Sequence, residues 1–280
     1  MKATAANRLW APLLLVTALL VSGAARASAQ ATCPVDPHWD HYKLYVARPP
    51  YPQSNLFVLL ADQFNPAQPY QHQVLQLDYW MNPVEKTVLN PLGNITFPIN
   101  TPFLHYSWWR ISPQFNEKLV ALCNQFGDQT LYVKDAQYLL NPALKNQSGS
   151  PPPFNHYKCY ACEGQPVNRQ VTLRDQFDPV GTQGWTATVT YPRWFCNPAM
   201  KQVLGSPLPP NQIVDGNQHY VCYEYTPADT RISSLSFTDQ FIPSGTLDVG
   251  PSQWLCVPTF KTGFTPTTRG TWGKLKTLYR

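Results

Sequence analysis

The sequence predicts an all-β protein made of four tandem homologous units of three strands each, and three observations carry that prediction. Proline occurs 29 times in 280 residues, about twice its ordinary usage, which excludes long helices and leaves short strands joined by stiff loops. Apolar residues alternate with polar ones at period two. One pattern recurs four times along the chain, a recurrence sought before any element is assigned.

Each copy opens on an HY pair, at His41, His105, His156 and His219, with an aromatic three residues past the Tyr: Tyr45, Trp109, Tyr160 and Tyr223. About twenty residues on comes a DQF or NQF triplet, beginning at Asp62, Asn124, Asp175 and Asp239 and continuing with Gln63, Gln125, Gln176 and Gln240. A valine follows at Val74, Val133, Val189 or Val249, six residues ahead of the closing segments WMNPVEK, LLNPALK, FCNPAMK and LCVPTFK, which end on Lys86, Lys145, Lys201 and Lys261. Three strands per copy result: one at HYxxY, one ending in QF, one from the Val to the closing Pro. In the middle strand Leu60 and Val58, Leu122 and Val120, Leu173 and Val171, and Phe237 and Leu235 share a face with the acid or Asn. An inward carboxylate is costly unless hydrogen-bonded, so a Tyr hydroxyl, the closing Lys or amides of the next turn are its expected partners.

The elements follow in chain order. Residues 1–29, with Lys2 and Arg8 ahead of an apolar run and Ala27-Ser28-Ala29 at the end, read as a secretory leader. The apolar run is shorter than the ~20 residues of a membrane span. Units are expected at 30–90, 91–150, 151–205 and 206–265, followed by a basic tail at 266–280 containing Arg269, Lys274, Lys276 and Arg280. Linkers such as NQSGSPPPFN and GSPLPPNQ absorb the unequal spacing as stiff connectors. The units are either consecutive small sandwiches or barrels, or a closed four-bladed propeller-like ring, although a blade ordinarily has four strands. Without Lys2, Arg8 and Arg26 the formal charge of +5 falls to 18 basic against 16 acidic side chains, which gives no general claim on nucleic acid.

Seven cysteines in an exported chain point to disulfides in an oxidising compartment. Cys159 and Cys196 occupy the slots that Cys222 and Cys256 fill one copy later, while the first two copies hold Leu44 with Met81 and Trp108 with Leu140. Joint presence or joint replacement is what a bonded pair produces, so Cys159–Cys196 and Cys222–Cys256 are expected, each contributing roughly 4 kcal/mol by chain entropy. Cys33, Cys123 and Cys162 lack that logic, and their odd number leaves a free thiol or an intermolecular bridge.

Metalloprotease, P-loop and GxSxG patterns are absent. Catalytic residues are ordinarily singular, whereas here His, Asp or Asn, Gln and Lys recur in every copy, so they are expected to be mainly structural, with a ligand site per copy as the alternative. No cofactor is expected, since adjacent His and Tyr on a strand face opposite ways. For an enzyme the first residues to inspect are Glu85, Glu117, Glu163, Glu224 and His72.

The third and fourth copies carry an H-aromatic-x-C-Y opening and a Cys-x-Pro-x-x-Lys closure, around a V-x-L-x-DQF centre in the third that reads L-x-F-x-DQF in the fourth. In these motifs the repeat resembles a domain of unknown function found in tandem in secreted bacterial proteins. The resemblance spans essentially the whole mature chain and implies export and a repeated β module, with nothing about substrate. The functional expectation is a secreted, extracellular or periplasmic, non-catalytic scaffold that binds an extracellular protein or polysaccharide. The alternatives are an exported enzyme acting on glycans between repeats, or a ligand or metal carrier with one site per repeat.

Overall fold

The computed structural model describes residues 33–151 and 153–266; the expected leader and nearly all of the basic tail lie outside them. The described residues form twelve strands and no helix. The first HY stretch supplies β1 (His41–Asp62), β2 (Tyr70–Val88) and the short β3 (Ile95–Phe97); the second supplies β4 (His105–Gln114), β5 (Lys118–Asn124) and β6 (Gly127–Lys145). The third gives β7 (His156–Glu163), β8 (Arg169–Asp175) and β9 (Trp185–Val203), and the fourth β10 (His219–Asp229), β11 (Ser233–Asp239) and β12 (Gly245–Pro266). In the first stretch the two expected strands run on as β1. Register shifts between Val46 and Tyr51 and between Pro52 and Leu56 mark where the others break.

All twelve strands belong to one sheet, and eight of them close a ring. Its antiparallel order is β1, β2, β4, β6, β7, β9, β10, β12 and back to β1. The ring is therefore continuous, with hydrogen bonds joining each stretch to both neighbours, rather than a set of detached modules or blades. The middle strands lie outside this path. Each pairs with its own long closing strand and then with the closing strand of the diagonally opposite stretch: β5 with β6 and β12, β8 with β9 and β2, β11 with β12 and β6. The far half of β1 behaves alike, pairing with β2 and, through Val58–Asp62, with β9.

Period two sorts the side chains of the ring onto two buried faces. Inward point Tyr42, Tyr106, Tyr157 and Tyr220, which form a closed circuit of edge-to-face contacts with centroids 5.7, 5.6, 5.3 and 5.7 Å apart, the geometry the aromatic quadrupole favours. One layer down, Leu44 faces Met81, Trp108 faces Leu140, Cys159 faces Cys196 and Cys222 faces Cys256 in direct register. Tyr79, Tyr138, Trp194 and Trp254 pack as a further aromatic layer. Outward, two more apolar clusters are sandwiched between the ring and the middle strands, one around Phe195, Tyr223 and Leu122 and the other around Trp80, Trp109 and Phe237.

Three disulfides are formed: Cys159–Cys196, Cys222–Cys256 and Cys33–Cys123. The first two cross the ring interior between neighbouring strands. The third ties the segment before β1 to β5, a link that no recurrence in the sequence announces. Cys162 is a free thiol, buried in the outer cluster, where burial pushes its pKa up.

Candidate functional site

The recurring polar residues lie on the outer face of the ring, roofed by the middle strands, and they gather into corners. Every corner holds a His beside the closing Lys of the same stretch. Lys86 Nζ lies 2.9 Å from His41 Nε2, and Lys145, Lys201 and Lys261 act electrostatically on His105, His156 and His219. The Gln comes from the neighbouring stretch instead of its own. Gln125 reaches His41 at 2.5 Å, Gln63 reaches His219 at 3.3 Å, and Gln240 hydrogen-bonds His156. The fourth corner differs, since Gln176 donates to the Pro102 carbonyl at 2.6 Å.

The four corner histidines are buried, 2–6 % exposed. Burial first, and then the adjacent Lys, holds every imidazole below its ordinary value, to about 3 for His105 and His219. Burial likewise lowers Lys145 and Lys261 to about 8 and Lys86 and Lys201 well below the usual ammonium range. Lys201 donates to Asn141 Oδ1 at 2.5 Å, and Lys145 Nζ lies 3.5 Å from Asn82 Oδ1. Buried neutral groups that satisfy one another fix geometry.

The acid of each DQF does two things at once. Its Oδ1 accepts the backbone N–H two residues on, from Phe64, Phe126, Phe177 and Phe241, closing the turn that follows the strand. The rest of the carboxylate or amide meets the diagonally opposite stretch. Asp62 accepts from Tyr160 and Asn197, Asp175 from Tyr45, and Asp239 from Trp109 and Ser107, while Asn124 donates to Tyr223. Both a Tyr hydroxyl and the turn amide are thus partners of the inward acid.

One charged cluster has no counterpart among the described residues. Buried Lys43 donates to Asp229 at 2.6 Å and lies 4.0 Å from Asp175. Arg231 bridges Asp229 and Asp178. Burial would raise Asp229, but Arg231 and Lys43 hold it down at about 2. Breaking such a buried network leaves uncompensated charge, so its members are structurally committed.

The residues singled out for an enzyme are dispersed. Glu85 pairs with Arg174, Glu163 with Lys134 and Glu224 with Arg193. His72 is fully buried, its Nδ1 at 2.7 Å from the Ser112 carbonyl. Among the described residues no three or more His, Cys, Asp and Glu side chains gather as a metal site.

One corner opens outward. Beside His156 lies a cleft of about 570 Å³ lined by residues 149–151 and 153–154, by Leu208, Asn211, Gln212 and Val214, and by Asp239 and Gln240. The turn after β8 borders a second cleft, of about 470 Å³, where Glu85, Arg174 and Asp178 make the walls charged.

The sequence model of a family described as "Repeat of unknown function (DUF7450)" matches residues 105–260. The chain belongs to the DUF7450 family. None of the curated proteins and none of the solved structures compared with it matches. The DUF7450 match takes in β4 to β11 and most of β12. The first HY stretch precedes it but supplies β1 and β2 to the same ring, with Leu44 facing Met81 where later stretches carry disulfides. The matched span runs from the second HY into the last closing segment, and the recurring residues within it are those that join each stretch to its neighbours.

The Lys43–Asp229–Arg231–Asp178 cluster and the cleft beside His156 were not announced by any motif. Both arise from loops and single positions that differ between the stretches, so recurrence could not reveal them. A usable signal for the first was the residue two past each HY histidine, Lys43, Ser107, Lys158 or Val221, which faces outward beside the polar set.

Proposed function

We propose that this DUF7450 chain is an exported, non-catalytic binding scaffold of four β repeats, spanning 30–90, 91–150, 151–205 and 206–265, that engages an extracellular protein or polysaccharide. The observation that carries the reading is the mutual engagement of the recurring polar set. The histidines and the DQF acids are buried, and His, Asp, Gln and Lys bond one another within and across stretches, so their repetition serves assembly. Three disulfides are consistent with an extracellular location. An interior filled by tyrosines, disulfides and tryptophans makes a rigid body, and rigid bodies present surface loops at low ordering cost.

The test is co-sedimentation of the purified, disulfide-bonded chain with isolated cell-envelope material, followed by analysis of the supernatant for released sugar and peptide. Saturable retention without release of soluble products is the expected result. Progressive release of sugar or peptide overturns the scaffold reading in favour of an enzyme, and absence of retention removes its binding component.

A further inference from the structure

We propose that the cleft beside His156 is a binding site for an uncharged, hydroxyl-rich ligand, a short segment of neutral glycan. The proposal rests on the scaffold reading and deepens it by naming the surface and the ligand chemistry.

Charge argues first. Lys, Arg and Glu side chains are missing from the lining among the described residues, and the single carboxylate there, Asp239, is already engaged. Its Oδ1 accepts the N–H groups of Phe241 and Ile242, both at 2.8 Å, and its Oδ2 accepts Trp109 Nε1 and the Ser107 hydroxyl. Lys201, behind the cleft, is fully buried and committed to Asn141. An anionic ligand would lose hydration without gaining a cation, and a cationic one would find no free carboxylate.

Hydrogen-bonding capacity argues next. His156 Nδ1 is buried and has no partner. The same ring atom is unpartnered in His41 and His105, so it does not select this corner by itself; the opening beside it does. The same cleft is lined by the side-chain amides of Asn211, Gln212 and Gln240, of which Gln240 Nε2 donates to Asn211 Oδ1 and Gln212 Nε2 to the Pro210 carbonyl, both at 3.3 Å, weak exposed bonds that a ligand hydroxyl can replace. An amide presents donor and acceptor side by side, which matches two vicinal hydroxyls. Apolar walls complete the match: Phe154 and Leu208 line the cleft, and Leu208 is 61 % exposed. A sugar ring offers C–H faces to such walls and hydroxyls at its rim to the amides. This combination of apolar walls with a few convergent polar groups is the usual make-up of a ligand site. The charged walls of the second cleft, with Glu85 and Arg174 ion-paired, do not share it.

The test is affinity electrophoresis of the native chain through gels containing a β-glucan, an α-glucan, a mannan or a galactan, with alginate as the anionic comparison. A neutral, proline-rich decapeptide is titrated in parallel by fluorescence. Gln212→Ala and Leu208→Asp change exposed cleft positions, and Arg174→Ala changes the charged cleft; melting temperatures confirm that each variant is folded. The expected result is retardation by at least one neutral glycan, weakened tenfold or more by Gln212→Ala and Leu208→Asp and unchanged by Arg174→Ala. Retardation by none of the neutral glycans, retardation by alginate alone, capture of the peptide in their place, or glycan binding indifferent to both cleft variants each overturns the proposal. Those outcomes leave the scaffold reading standing if envelope retention persists. Release of soluble sugar instead sinks the scaffold reading while leaving the cleft as the site.

Discussion

At the scale of single residues, the slot two past each HY histidine is matched to the acid that reaches over it. Lys43 lies 4.0 Å from Asp175, Ser107 donates to Asp239, and Lys158 feels the field of Asp62. The fourth stretch holds Val221 in that slot, and the stretch reaching over it carries Asn124 in place of an acid. Where the slot holds neither a cation nor a hydroxyl donor, the carboxylate is missing too. Asn124→Asp is therefore expected to destabilise the fold by about 1–3 kcal/mol or more, since it buries an unpaired charge, and adding Val221→Lys should recover part of that loss. A double-mutant cycle in urea checks it, and a zero coupling energy would show that the two slots do not communicate. Asp175→Asn should cost less than Asp175→Ala, because Lys43 keeps Asp229 at 2.6 Å and the turn amide keeps its acceptor.

The five buried histidines, His41, His72, His105, His156 and His219, give a pH dependence of definite sign. In the folded chain they are held neutral, with His72 at about 4 and His105 and His219 at about 3, while in the unfolded chain each titrates near 6.5. Below that value the unfolded state takes up protons that the folded state refuses. The histidine contribution is present in full above pH 6.5 and is lost as pH falls toward 4, by up to about 1.4 kcal/mol per pH unit for each such His. Urea midpoints at pH 7.5 and 5.0 should differ clearly, and His105→Gln should shrink the difference. Equal midpoints for the native chain would contradict the neutral buried state.

At the scale of elements, the sequence was readable wherever an element repeats itself. The strand at HYxxY and the long closing strand occur at the expected places, the middle strand ends on the Asp or Asn with QF in the turn beyond it and is merged into β1 in the first stretch, and period two assigns Tyr42 and His41 to opposite faces. What escaped is pairing between strands far apart in sequence. Nothing in the run LLADQF says that Ala61 will lie opposite Met200, because an amphipathic strand specifies its buried face and leaves its partner to be chosen by topology. The Cys33–Cys123 link escaped for the same reason, since Cys33 precedes the first copy and has no counterpart to compare. The cleft beside His156 escaped because its walls are the stretches where the copies differ. The two interior disulfides lead to a quantitative expectation. Cys159→Ala with Cys196→Ala should lose about 4 kcal/mol through loop entropy and further stability through the void it leaves. Cys159→Leu with Cys196→Met, the pair used by the first stretch, should fill the layer and lose less. Urea unfolding ranks the two, and the reverse order would mean that the layer has no room for the first stretch's side chains.

At the scale of the whole molecule, the diagonal reach of the middle strands decides how the chain unfolds. In a linear array each repeat touches only its neighbours, and stability is a sum of local terms that can be lost piece by piece. Here β12 closes the ring against β1, pairs with β10 and β11, and also covers β5 of the second stretch. Removing the last stretch would open the ring, strip β5 of one of its two partners, and expose the tyrosine circuit by deleting Tyr220. β6 would lose its pairing with β11 as well, so damage at one end reaches every other stretch. A chain ending at residue 205 is therefore expected to be unfolded rather than three-quarters folded. The full chain should unfold in one transition, with tryptophan fluorescence and far-ultraviolet circular dichroism giving coincident urea curves. Trp80, Trp108, Trp109, Trp185, Trp194 and Trp254 are spread over all four stretches, so an early loss of one stretch would separate the two probes. Separated curves, or a 205-residue chain with native-like dispersion in its amide spectrum, would show that the stretches fold as independent modules and that the ring is only their packing.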